Sequence, residues 1–107
     1  MLTANLFNPV LVQPALEGGN RLLVLSGYAT PAMVASHFHE LPGNVAVKLV
    51  VGMCGAQGLL RAHHLGFRRL AAETYRDRFS CFYVTGKQAV HVKLYAWLKG
   101  ERPVRAF

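Results

Sequence analysis

The sequence predicts an α/β fold, a mixed β-sheet flanked by helices. Three observations predict it: short apolar runs bounded by glycine, helical stripes between the first of those runs, and strands in direct succession toward the end. The 107 residues suffice for one domain, 1–107, and the 52% apolar content suffices for its core.

The elements follow in order. Asn8 to Glu17 reads as a short helix stopped by Gly18-Gly19, since glycine tolerates the left-handed conformation that closes a helix. Arg21 to Ser26 is an almost continuous apolar run, the pattern of a strand covered on both faces. Thr30-Pro31 supplies an N-cap and a first-turn proline for a helix through about Leu41. Pro42-Gly43-Asn44 is a turn, and Val45 to Val51 the second strand.

Gly55 to Gly58 is a loop, and Leu59 to about Arg76 a helix with Leu60, Phe67, Leu70, Ala71 and Tyr75 on one stripe. Phe79 to Thr85 is a third strand, with Phe79, Phe82 and Tyr83 assigned to the core, and Gly86-Lys87-Gln88 breaks it. From Val90 to Leu98 the alternation puts Val90, Val92, Leu94, Ala96 and Leu98 on one side and His91, Lys93, Tyr95 and Trp97 on the other. Lys99 to Arg102 reverses the chain into a last strand from Pro103 to Phe107, which ends as if just begun.

Charge is unevenly spread. Residues 1 to 60 are neutral, with Arg21 and Lys48 against Glu17 and Glu40, so the net +7 lies beyond them, in ten basic residues opposed by Glu73, Asp77 and Glu101. A basic half attracts polyanions, or simply keeps the chain dissolved. The arginines of the long helix suit a nucleic-acid backbone, though Arg69 and Glu73 also make an i, i+4 pair on a solvated face.

Cys54 and Cys81 lack the spacing of a disulfide scaffold, so reduced thiols in a cytoplasmic protein are expected. Secretory and membrane-spanning patterns are not seen in the sequence. His37, His39, His63 and His64 do not make the close-spaced ligand pairs of a zinc site and read as surface or capping histidines.

The chemistry concentrates in Val90-His91-Val92-Lys93. Strand alternation places His91 and Lys93 on one face roughly 6 to 7 Å apart, a spacing that suits one phosphate. An imidazole nitrogen can attack phosphorus while an ammonium neutralises the non-bridging oxygens. An isolated H-x-K also occurs on ordinary half-exposed strands. Ser26-Gly27-Tyr28 sits at the end of the first strand, where α/β sheets place ligands, although a structural turn is the favoured reading. Tyr95 and Trp97 share the histidine's face, to floor a cleft or fill a dimer interface.

The stretch His91-Val-Lys-Leu-Tyr-Ala-Trp-Leu-Lys-Gly-Glu-Arg-Pro-Val-Arg-Ala-Phe107 resembles the catalytic strand and hairpin of phospholipase D-like restriction endonucleases. Asn5-Leu-Phe-Asn-Pro9, Val24-Leu-Ser-Gly-Tyr-Ala-Thr-Pro31 and the Gly66-Phe67 step are similar too. The resemblance implies the N-terminal part of a catalytic domain, incomplete here, acting on DNA as a homodimer in which two H-x-K motifs meet. It implies His91 as nucleophile or acid according to subunit, Lys93 as phosphate clamp, and neither metal nor cofactor.

Ser26, Tyr28, Tyr95 and Arg105 are the candidate substrate-contacting residues. Two departures stand out: Leu98 occupies the position of the acid in the superfamily's H-x-K-x4-D pattern, and the G-S-x-N segment expected past Phe107 is not in the sequence. The alternative is a non-catalytic, truncated module that binds DNA or another polyanion, or serves assembly. Lipid phosphodiester hydrolysis is disfavoured, because no apolar membrane-docking segment is seen in the sequence.

Overall fold

The computed structural model describes residues 8–27, 29–52, 61–84 and 93–107. His91, Tyr28, Cys54, the Gly55–Gly58 loop and the break at Gly86 lie outside the described residues. Among the described residues five strands form one sheet: β1 (Arg21–Ser26), β2 (Ala46–Val51), β3 (Phe79–Tyr83), β4 (Lys93–Lys99) and β5 (Arg102–Ala106), in the spatial order β3-β2-β1-β4-β5. The first three run parallel; β4 is antiparallel to β1, and β5 to β4. The sheet is therefore mixed, as the alternating and then successive runs predict.

The helices link the parallel strands. A wide π-type turn at Asn8–Val12 leads into α1 (Gln13–Leu16), α2 (Pro31–Glu40) joins β1 to β2, and α3 (Arg61–Arg69) continues through a second π-type turn at Leu70–Thr74 toward β3. Helix α2 starts where its sequence directs: the Thr30 side chain accepts a hydrogen bond from the Met33 amide at 3.2 Å, and proline follows it.

All of these helices pack on one face of the sheet. Leu22, Val24, Val47, Leu49, Val51, Phe79, Tyr95 and Trp97 meet Val10, Leu11, Val34, Phe38, Phe67 and Leu70 in a single core. Trp97 is completely buried and donates its indole N–H to the Val10 carbonyl at 2.6 Å. It reaches that position over Gly19, where an added Cβ would stand 2.7 Å from the Trp97 ring and 2.9 Å from the Pro14 carbonyl.

Three expectations change. Tyr95 and Trp97 are core residues rather than a cleft floor or dimer face, because that side of β4 is the one the helices cover, while Leu94, Ala96 and Leu98 on the other side are only half-buried. Phe82 leaves the core for the same reason: alternation along β3 turns it outward, 49% exposed, where the Lys48 ammonium lies 4.7 Å from its ring centroid. Strand β1 is covered on one face only among the described residues, so Leu23 and Leu25 are half-buried.

Gly66 marks the closest approach of α2 and α3. A Cβ there would lie 2.5 Å from Pro31 Cγ, a ring held rigidly in the first turn of α2. Alanine gains up to about 1 kcal/mol in helix propensity, but overpacking costs about 1–3 kcal/mol. Gly66→Ala is expected to lower stability in chemical denaturation by about 1 kcal/mol or more, against the propensity trend.

Candidate functional site

The three parallel strands end at one edge of the sheet, and the antiparallel β4 begins there. Pairing aligns Tyr83 with Val51, Val51 with Ser26, and Ser26 with Lys93, which puts these four residues in one row. Residues paired across strands share a face, here the face that carries the helices. Lys93 is exposed where β4 emerges from cover, whereas Tyr95 and Trp97, two and four residues further along, are buried on that same side. Neighbouring strands stand about 4.8 Å apart, so the Lys93 backbone lies one spacing from Ser26 and about 14 Å from Tyr83.

This is the carboxyl edge of the parallel strands, where open α/β sheets bind ligands. Ser26 closes β1 with no exposed surface, and its carbonyl accepts from the Gly52 amide at 2.8 Å. Beyond Val51 the row ends in a polar pair: His64 of α3 shares a hydrogen bond between Nδ1 and the Tyr83 hydroxyl at 2.7 Å. Neither His64 nor this pairing is legible in the sequence, because the partners lie 19 residues apart on different elements.

Of the predicted substrate-contacting residues, Ser26 adjoins Lys93 and the other two described ones do not. Tyr95 points into the core with its hydroxyl 2.7 Å from His37 Nε2, which removes it from any substrate-facing surface. Arg105 pairs with Trp97 on the outer strand and makes a 3.0 Å ion pair with Glu17, four residues along the sheet from Lys93. Leu98 projects to the opposite face from Lys93, as residues an odd number apart on a strand must.

His37 is likewise a correction to the surface or capping role: it is only 5% exposed and lies between α2 and β4. Burial pushes its pKa from 6.5 down to about 4, with a backbone hydrogen bond to Met33 opposing the shift, and burial raises the Tyr95 hydroxyl. The pair is thus uncharged at neutral pH, a hydrogen bond between two neutral rings that ties α2 to the strand bearing Lys93.

A groove of about 450 Å³ opens elsewhere, at the amino end of the parallel strands, lined in part by Arg21, Leu23, Lys48, Arg78 and Leu98. Its Arg78 guanidinium is engaged by the Val45 and Pro42 carbonyls at 3.1 and 2.9 Å. It does not include Lys93. Among the described residues no group of three or more His, Cys, Asp or Glu is arranged to hold a metal, and no helix is long and apolar enough to cross a membrane.

A mixed sheet with helices packed on it and an exposed lysine at the carboxyl edge of its parallel strands defines an α/β domain. The family described as the NgoFVII restriction endonuclease N-terminal PLD domain matches residues 4–107, and the chain belongs to that family. No curated protein matches the chain.

The buried histidine makes stability depend on pH. Its folded-state pKa lies below the unfolded value, so the unfolded chain binds the proton more tightly: the contribution is complete above about pH 6.5 and is lost as pH falls toward 4. That drop corresponds to on the order of 3 kcal/mol. Denaturation midpoints between pH 7 and pH 4 should fall accordingly, and His37→Leu should flatten the profile. Tyr95→Phe removes the hydroxyl bonded to His37 Nε2 and is expected to cost about 1–3 kcal/mol at pH 7 in the same assay.

Proposed function

We propose that the chain is the catalytic part of a metal-independent DNA phosphodiester hydrolase of restriction type, in which His91 attacks phosphorus and Lys93 clamps the phosphate. The observation that carries this reading is the position of Lys93: exposed, at the ligand edge, two residues after the one histidine of the H-x-K pattern, in a chain of a restriction endonuclease family. The excess of basic residues beyond position 60 favours a polyanionic substrate.

The chemistry follows from the two side chains. The His91 imidazole nitrogen forms a P–N bond as the P–O bond to the leaving deoxyribose oxygen breaks, and the His91 of the partner subunit donates the proton that this oxygen needs. Water then attacks the phosphohistidine, giving up its proton to the partner's His91, which restores both rings. Lys93 supplies a fixed positive charge to the non-bridging oxygens, where negative charge builds in the transition state. A homodimer supplies both histidines, since each chain carries one H-x-K. The proposed setting is cytoplasmic.

A second reading rests on Leu98. The wider superfamily places an acid at that position, and here an apolar side chain faces away from Lys93, so it cannot orient a histidine. A module that binds DNA without cutting it is the alternative this favours.

Cleavage of duplex DNA in excess chelator separates the two. The hydrolase predicts cutting that persists without divalent metal, that His91→Ala abolishes while binding is retained, and that Lys93→Ala slows by about 10²–10³-fold. Wild-type protein that binds duplex and never cuts it would establish the alternative.

A further inference from the structure

The row of residues along the carboxyl edge continues past the lysine to a polar cluster that the H-x-K chemistry does not use. His64 and Tyr83 are joined at 2.7 Å, both half-buried, with Tyr83 on the same sheet face as Ser26 and Lys93. Arg68 is exposed one helical turn further along α3, on the side of the helix that carries His64, because residues four apart share a helix face.

A tyrosine hydroxyl bonded to Nδ1 fixes the plane of the imidazole and leaves Nε2 as its remaining polar atom. With the hydroxyl donating to Nδ1, the neutral ring carries its proton on Nε2, and a protonated ring donates from both nitrogens. In the tautomer whose Nδ1 accepts from the hydroxyl, as in the protonated ring, Nε2 is an N–H suited to a phosphate oxygen.

We propose that His64, oriented by Tyr83 and supported by Arg68, is a second phosphate-contact station, holding the DNA backbone at a point apart from the phosphate at Lys93. The Tyr83 and Lys93 backbones stand three strand spacings of about 4.8 Å apart, some 14 Å. Along a duplex it corresponds to about four nucleotide rises of 3.4 Å. The station therefore takes a flanking phosphate rather than the one being cut, and fixes how the substrate runs across the edge. This deepens the nuclease reading by adding a flanking contact, and it rests on that reading for the identity of its polyanion as DNA.

Two probes of different reach test it: a 20-base-pair duplex, and bis(p-nitrophenyl) phosphate, a small diester that spans one phosphate site only. Binding of each is measured for full-length wild type, His64→Ala, His64→Asn, Tyr83→Phe and Arg68→Ala, with thermal melting of every variant. His64→Asn is informative because its amide can bond Tyr83 where Nδ1 does, yet nothing replaces Nε2.

The expected result is that the ratio of duplex affinity to small-diester affinity falls about tenfold for His64→Ala and stays low in His64→Asn even where melting is restored, since one charge-assisted hydrogen bond is worth about that factor. Arg68→Ala should reduce the slope of log affinity against log salt by about 0.9. A ratio unchanged in all variants, or restored by His64→Asn together with melting, overturns the station and leaves the pair as a packing contact. Duplex binding that depends on His64 in a protein that never cuts DNA would sink the hydrolase and keep the station, whereas cutting with an unchanged ratio would do the reverse. Wild type that binds no duplex ends both.

Discussion

The structure depends on the pairing of β4 against β1. That ladder puts Lys93 beside Ser26 at the end of the sheet where the parallel strands stop. A slip of one residue would turn Lys93 to the other face and expose Tyr95 and Trp97, because side chains alternate with period two. Two hydrogen bonds make such a slip costly: the Trp97 indole to the Val10 carbonyl, and the Tyr95 hydroxyl with His37. Each joins β4 to a different helical segment, so the strand is held at two points along its length. The residues that resemble an aromatic cleft in the sequence are in effect the mounting of the lysine.

The helices share that dependence. Gly19 and Gly66 permit backbone approaches that no other residue would, one beneath Trp97 and one against Pro31. His37 of α2 and His64 of α3 each reach a tyrosine on the sheet, on β4 and on β3 respectively. A sequence with five histidines and no metal-ligand spacing thus uses two of them as polar struts.

The fold was largely legible because its signals are local. Thr30-Pro31 favours a helix start, and the runs at Arg21–Ser26, Ala46–Val51 and Phe79–Tyr83 are short and rich in apolar residues, which favours strands. Which face of β4 is buried was not legible. Leu94, Ala96 and Leu98 are as apolar as the aromatic side, and only the placement of the helices decides between them. The candidate site has a motif in the sequence, His91 and Lys93, of which Lys93 lies among the described residues, but its surface is not legible there. The neighbours of Lys93 are set by register, and pairings such as Ser26 with Lys93 or His64 with Tyr83 join positions with no periodic relation. Arg105 and Tyr95 entered the candidate set by proximity in sequence, and the sheet carries them respectively into an ion pair and into the core.

The outer hairpin has a bearing on how copies of the domain can meet. Among the described residues β5 is the terminal strand on its side of the sheet, and its sequence is Arg102-Pro103-Val104-Arg105-Ala106. A proline lacks an N–H that a further strand would use, and the Arg102 guanidinium repels its counterpart on an identical neighbour. The register also shifts between Trp97 and Leu98, which bends the ribbon away from flatness. Pairing of this margin with an identical strand is therefore disfavoured, which works against fibre-like stacking of the described sheet through β5.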